Sequence, residues 1–128
     1  MVSIPLNLSQ LKRALESLKK SIDQPKDEFT RDSTIQRFEY SFELSWKTLK
    51  RYFSLNQGLD ESNVKNLFRE AGKQKLIDSI DSWFEYLRAR NLTSHTYNEN
   101  TAEEVYKAAC RFFVDAKELL TRLEKLVD

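Results

Sequence analysis

Apolar residues recur along much of this chain at spacings of three and four, which is the repeat of an amphipathic α-helix. The first such segment is predicted at about Leu6–Asp23 and is followed by Pro25, which cannot continue a helix. Its apolar stripe consists of leucine and isoleucine only: Leu8, Leu11, Leu15, Leu18 and Ile22. This narrow stripe suits packing inside a helical bundle or against a partner helix.

The second segment, predicted as a helix over about Asp32–Leu55, is rich in aromatic residues. One side carries Ile35, Phe38, Phe42, Trp46 or Ser45, Leu49 and Phe53, and further bulk comes from Tyr40, Leu44 and Tyr52. A helix with apolar residues on more than one face lies either at the centre of a fold or in a subunit interface. Glu43 and Lys47 have the spacing and order of a helical ion pair.

Three more helices complete the pattern. A short one is predicted at about Ser62–Lys73, with Gly72 available as a C-terminal cap, and a longer one at about Leu76–Asn91. Thr101 and Glu104 have the spacing of a capping box that opens a last helix, which continues to the end of the chain. The sequence therefore predicts an all-α fold: an up-and-down bundle of four long helices plus one short helix, in a single domain spanning residues 1–128.

Composition and charge narrow the functional classes. The chain has 21 Lys and Arg against 20 Asp and Glu, so no global electrostatic field indicates nucleic-acid binding. Cys110 is the single cysteine, which excludes an intrachain disulfide, and no apolar run approaches the length of a membrane span. Glu39 and Glu43 lack accompanying Glu-x-x-His motifs, so no metal site is predicted, and no glycine-rich loop indicates a cofactor. We expect a cytoplasmic protein.

The candidate chemistry lies in residues 90–97. Arg90, His95 and Tyr97 place a guanidinium, the only imidazole of the chain and a phenol within eight residues. On a continuous helix Arg90 and His95 would lie about 140° apart, so they converge only if the helix ends near residue 91. The polar residues that follow Arg90 favour such a turn. The alternative is a helix-terminating loop in which these side chains only cap or pack.

The pattern Arg90-x4-His95-x-Tyr97 at a helix end, in five helices of this length, resembles the HEPN superfamily. Within it, the chain is similar to the nucleotidyltransferase substrate-binding proteins, which include toxin partners of minimal nucleotidyltransferases. The similarity extends to residues 36–50, residues 68–71 and residues 90–99. It implies that Arg90 and His95 form a metal-independent ribonuclease pair in a homodimer, with two copies of the motif lining one cleft.

The same resemblance implies that Tyr97 can be modified with adenylate by an antitoxin-like nucleotidyltransferase partner, which would silence the cleft. RNA contacts would then come from basic residues elsewhere: Lys47, Lys50, Arg51, Lys73 and Lys75. Two alternatives remain open. In the first alternative to a ribonuclease, the protein is a non-catalytic subunit that binds a nucleotide or substrate for the partner. In the second, it is an assembly protein that uses the aromatic side of its second helix.

Overall fold

The computed structural model describes residues 5–127, which form an all-α bundle, as predicted. Its helices are Ser9–Ile22 (α1), Glu28–Gln57 (α2), Val64–Lys73 (α3), Ile80–Asn91 (α4) and Glu99–Glu124 (α5), with a 3-10 turn at Thr93–His95. α2 contacts each of the other four helices, so it is the centre of the bundle. Among the described residues, no helix has both the length and the apolar character needed to span a bilayer. The predicted domain limits at residues 1 and 128 lie outside the described residues.

Side-chain caps set the start of α2. Asp27 Oδ1 accepts a hydrogen bond from the backbone N–H of Thr30 at 2.8 Å, while Thr30 Oγ1 accepts one from the N–H of Asp27 at 2.8 Å. These reciprocal bonds satisfy two donors that a helix start otherwise leaves free. α2 therefore begins four residues before the predicted Asp32.

The start of α5 corrects the predicted capping box. Asn98 is the cap, because its Oδ1 accepts from the backbone N–H of Thr101 at 3.1 Å. Thr101 therefore lies inside the helix as the donor of the capping bond, and the prediction that Thr101 and Glu104 open the helix was wrong. Asparagine and threonine are both good caps, so the sequence alone offered two equivalent starting points.

Gly72 also has a different role from the predicted one. α3 continues past it, and the left-handed position that ends the helix belongs to Lys75, with φ 61°. A Cβ on Gly72 would lie 2.5 Å from Cγ1 of Ile80, at the start of α4. The residue is therefore needed for the close approach of α3 and α4, not as a helix cap.

The core contains an aromatic cluster contributed by four helices. Its members are fully buried, namely Phe38 and Phe42 of α2, Phe68 of α3, Trp83 of α4 and Phe112 of α5. Ring centroids lie 5.2 Å apart for Phe38 and Phe112, and 5.3 Å apart for Phe68 and Trp83. These separations suit favourable aromatic pairing. The aromatic side of α2 thus packs at the centre of the fold.

Ser45, and not Trp46, continues the buried stripe of α2. Ser45 is fully buried and its hydroxyl donates to the carbonyl oxygen of Ser41 at 2.9 Å. Trp46 is partly exposed at the margin of the core. Trp46 lies beside the candidate site, where its indole Nε1 donates to Glu43 at 3.1 Å.

Candidate active site

Arg90 lies in the last turn of α4, where the chain leaves the helix. α4 ends at Asn91, and the hydroxyl of Thr93 donates to the carbonyl oxygen of Arg90 at 2.8 Å. Thr96 donates in the same way to the carbonyl oxygen of Thr93 at 3.2 Å. The polar residues thus satisfy carbonyl groups that the helix end leaves free. The turn predicted after Arg90 is confirmed.

The guanidinium of Arg90 is paired with a carboxylate of α2. Arg90 Nε donates to Glu43 Oε1 at 2.6 Å, and the two side chains are 33% and 28% exposed. Glu43 Oε2 accepts a second hydrogen bond, from Trp46 Nε1 at 3.1 Å. The predicted pair between Glu43 and Lys47 was wrong. The ammonium of Lys47 lies 5.7 Å from the centre of the Trp46 ring instead.

His95 and Tyr97 project from the turn into solvent. Both side chains are exposed, Tyr97 at 85%, and their ring centroids lie 6.1 Å apart in an edge-to-face arrangement. Among the described residues, the imidazole has no hydrogen-bond partner, so both of its nitrogen atoms are available to a substrate.

We call the end of α4 and the turn after it the polar corner of the bundle: Arg90 with its partner Glu43, and His95 with Tyr97 beside it. The 3-10 turn that carries His95 contacts α2, α4 and α5, so these helices hold it in place. α4 ends at Asn91, directly after Arg90, and His95 follows on the 3-10 turn. No hydrogen bond joins these two side chains within residues 5–127.

A buried arginine fixes the start of α5 immediately after Tyr97. The side chain of Arg31 is 7% exposed, and its Nη1 and Nη2 donate to the two carboxylate oxygens of Glu99 at 2.7 and 3.3 Å. This contact raises the pKa of Arg31 and lowers the pKa of Glu99 below its usual value. Two-point binding of this kind is geometrically specific. Sequence reasoning missed this pair, whose partners lie 68 residues apart.

A second contact joins the end of α4 to α5. Arg88 Nη1 donates to Glu104 Oε1 at 2.6 Å, and both side chains are largely exposed. The positive charges of Arg88 and Arg90 also lie in the last turn of α4, where the helix dipole favours cations. The polar corner is therefore supported from both sides of the turn.

A shallow groove runs along α2 beside the polar corner. It is lined by Gln36, Glu39, Tyr40 and Glu43, and the two glutamates make the groove acidic. Glu39 and Glu43 are the two carboxylates weighed above as metal ligands. No group of three or more His, Cys, Asp or Glu arranged to hold a metal ion occurs among the residues that the structure describes. The basic residues named as RNA contacts stay a prediction.

The family model described as nucleotidyltransferase substrate binding protein like matches residues 6–125 of this chain. The chain belongs to this family. The match covers all five helices and the polar corner, so it confirms the family resemblance seen in the sequence. The family's description names a nucleotidyltransferase as the associated enzyme.

Similar proteins agree with this membership. A Haemophilus influenzae protein named "Probable ribonuclease HepT" is 30% identical over 141 residues, covering 98% of this chain and 97% of its own length. A solved Haemophilus influenzae structure, described as revealing the fold of a substrate binding domain of a nucleotidyltransferase, has a TM-score of 0.84 at 31% identity. It covers 92% of this chain and 99% of that one. A crystal structure of a Thermus thermophilus protein has a TM-score of 0.82 at 31% identity. It covers 88% of this chain and 98% of that one.

Proposed function

We propose that this nucleotidyltransferase substrate-binding protein is a metal-independent ribonuclease, with Arg90 and His95 as its catalytic residues. The observation that carries the proposal is the polar corner: a solvent-accessible imidazole lies on the turn that directly follows the guanidinium-bearing end of α4. The Haemophilus influenzae relative named a probable ribonuclease supports it. We further propose that the protein is the toxin of a toxin–antitoxin pair and acts in the cytoplasm.

The chemistry needs Arg90, two copies of the His95 imidazole and RNA. A neutral imidazole of His95 takes the proton from a ribose 2′-hydroxyl, and the oxygen attacks the adjacent phosphorus. The bond from phosphorus to the 5′-oxygen breaks, and that oxygen leaves with a proton from a second, protonated imidazole. The products are a 2′,3′-cyclic phosphate and a free 5′-hydroxyl. Arg90 stabilises the negative charge that develops on the phosphate oxygens.

A homodimer supplies the second imidazole. The chain has one histidine, so separate acid and base groups require His95 from two protomers in one cleft. Size-exclusion chromatography with light scattering tests this part of the proposal. We expect a mass twice the chain mass of 15.2 kDa at micromolar concentration. A monomer under those conditions would contradict the shared cleft.

The decisive experiment for the catalytic proposal is RNA cleavage in the presence of EDTA. We expect wild-type protein to cleave RNA. The cleavage rate of His95→Ala should be lower by at least about a hundredfold, the usual contribution of acid–base catalysis. Because the His95 side chain is exposed, the variant should unfold at the wild-type temperature. Cleavage that is unchanged in His95→Ala would remove this residue from the mechanism.

Tyr97 is the proposed site of regulation by a minimal nucleotidyltransferase partner. Its phenol is 85% exposed and edge-to-face with His95, so an adenylate on its oxygen would bring a phosphate beside the imidazole. That anion would compete with RNA for the positive charge of Arg90. Incubation with the partner and ATP should join one adenylate to the Tyr97 oxygen, with release of pyrophosphate, and silence wild-type protein. Tyr97→Phe should keep its cleavage activity and resist silencing, and silencing of this variant would exclude the site.

A second function has its own support. The related Haemophilus influenzae structure is described as a substrate binding domain of a nucleotidyltransferase, and the groove beside Arg90 is acidic, which disfavours a long polyanion. In this alternative the polar corner binds a nucleotide or another substrate for the partner without cleaving RNA. Nucleotide binding that requires Arg90, in a protein with no RNA turnover, would favour it.

A further inference from the structure

The contact between Arg90 and Glu43 uses one edge of the guanidinium only. Arg90 Nε donates to Glu43 Oε1 at 2.6 Å, and neither Nη atom donates a hydrogen bond to another group within residues 5–127. A guanidinium has five donors in a fixed plane. With Nε engaged, the pair of Nη groups is still available for two parallel hydrogen bonds to a phosphate.

Glu43 is itself held in place. Its second carboxylate oxygen accepts from Trp46 Nε1 at 3.1 Å, one turn further along α2. Both oxygens of the carboxylate are therefore engaged, by partners on α2 and α4. Trp46 is partly buried against the core, which limits the movement of its ring. A chain of hydrogen bonds thus runs from Trp46 through Glu43 to Arg90.

We infer that Glu43 is a positioning residue, which fixes the plane of the Arg90 guanidinium and leaves its Nη edge for the phosphate. The inference deepens the proposed ribonuclease function and rests on it. A long arginine side chain samples many rotamers, and holding it before substrate binds removes that entropic cost from the reaction. The carboxylate also repels an approaching anion, an effect that a charge-matched control separates from positioning.

Glu39 provides a matched control for that charge effect. It lies one turn before Glu43 on α2 and lines the same groove, but it has no ion pair with Arg90. Glu39→Gln and Glu43→Gln remove the same charge from the same groove. If Glu43 acted only by repelling RNA, both substitutions would raise the cleavage rate by similar factors.

Single-turnover cleavage of RNA in EDTA separates the two roles. We expect Glu43→Ala to lower the rate constant for bound RNA about a hundredfold, the cost of misplacing a catalytic group by about 1 Å, with little change in RNA affinity. Glu43→Gln keeps an acceptor for Arg90 Nε, so its rate constant should fall less. The rate constant of Glu39→Gln should match or slightly exceed that of wild type. Circular dichroism melts verify that each variant is folded. Cleavage by Glu43→Ala at or above the wild-type rate overturns the inference.

The NMR signal of the Arg90 Nε–H group gives a readout that does not depend on RNA cleavage. We expect a hydrogen-bonded, slowly exchanging resonance in wild type and Glu39→Gln, and a solvent-like one in Glu43→Ala. Trp46→Phe, which removes the indole donor, should increase its exchange rate. If wild type cleaves no RNA, the proposed function fails, and this signal still decides whether Glu43 fixes the guanidinium. An identical Nε–H signal in wild type and Glu43→Ala overturns the inference even if cleavage is found.

Discussion

The aromatic cluster and the polar corner share helices α2 and α4 but are stabilised by different interactions. Phe42 and Glu43 are neighbours on α2, yet Phe42 is fully buried in the cluster while the side chain of Glu43 is 28% exposed at the corner. Likewise, α4 places Trp83 in the cluster and Arg90 at the corner. The cluster is fixed by close packing of many atoms, whereas the corner is fixed by a few named hydrogen bonds.

This difference predicts that stability and chemistry can be altered separately. A substitution in the cluster should change the fraction of folded protein and leave the activity of each folded molecule intact. A substitution of an exposed catalytic residue should do the reverse.

The largest effect on stability is expected from Phe112→Ala. The Phe112 ring is fully buried and pairs edge-to-face with Phe38, Trp83 and Tyr86. Its loss should lower the free energy of unfolding by about 3–5 kcal/mol, because apolar burial is lost and a cavity is left. Urea unfolding followed by circular dichroism measures the change. The RNA cleavage rate per folded molecule should stay at the wild-type value. A lower rate per folded molecule would contradict the proposal that stability and activity can be altered separately.

A smaller effect is expected from Asn98→Ala. This substitution removes the acceptor that caps α5, directly after the turn that carries His95. Loss of such a cap typically costs about 1 kcal/mol in stability. The matched control is Asn100→Ala, because Asn100 is exposed in the first turn of α5 and is not the cap. Equal thermal unfolding of the two variants would contradict the assignment of Asn98.

The smallest effect concerns acid stability at the start of α5. Arg31 lowers the pKa of Glu99 below its ordinary value of 4.5, so the pair contributes stability above that value. This contribution to stability is lost as the pH falls through the lowered pKa of Glu99 in the folded protein. Glu99→Gln should therefore show a smaller loss of unfolding temperature between neutral and acid pH than wild type. Because Glu99 is largely exposed, the difference should be small, and an unchanged acid profile would contradict the role of this pair.

The sequence predicted the elements of the bundle because burial repeats along each helix. Leu11, Leu15 and Leu18 are buried as the first stripe predicted, and so are Phe38 and Phe42 of the second. Helix boundaries were less accurate where two residues had equivalent chemistry. Asn98 and Thr101 both suit a cap, and the structure shows that the side chain of Asn98 is the one used.

The candidate site was predictable as a segment but not as a set of contacts. The polar run after Arg90 predicted the end of α4, because such residues satisfy free carbonyl groups. Glu43 could not be paired with Arg90 from the sequence, since 47 residues separate them and Lys47 offered a local partner. The close approach that requires Gly72 was equally invisible, because Ile80 meets it only after α3 and α4 pack.

The most direct test of the central claim is a double-mutant cycle on RNA cleavage. Single-turnover rates in EDTA are compared for wild type, Arg90→Ala, His95→Ala and the variant with both substitutions. Because the two side chains act on one phosphate in one transition state, we predict that the double variant is no slower than the slower single variant. Losses that multiply independently would contradict a shared catalytic site, and a wild-type cleavage rate in either single variant would remove the substituted residue from the mechanism.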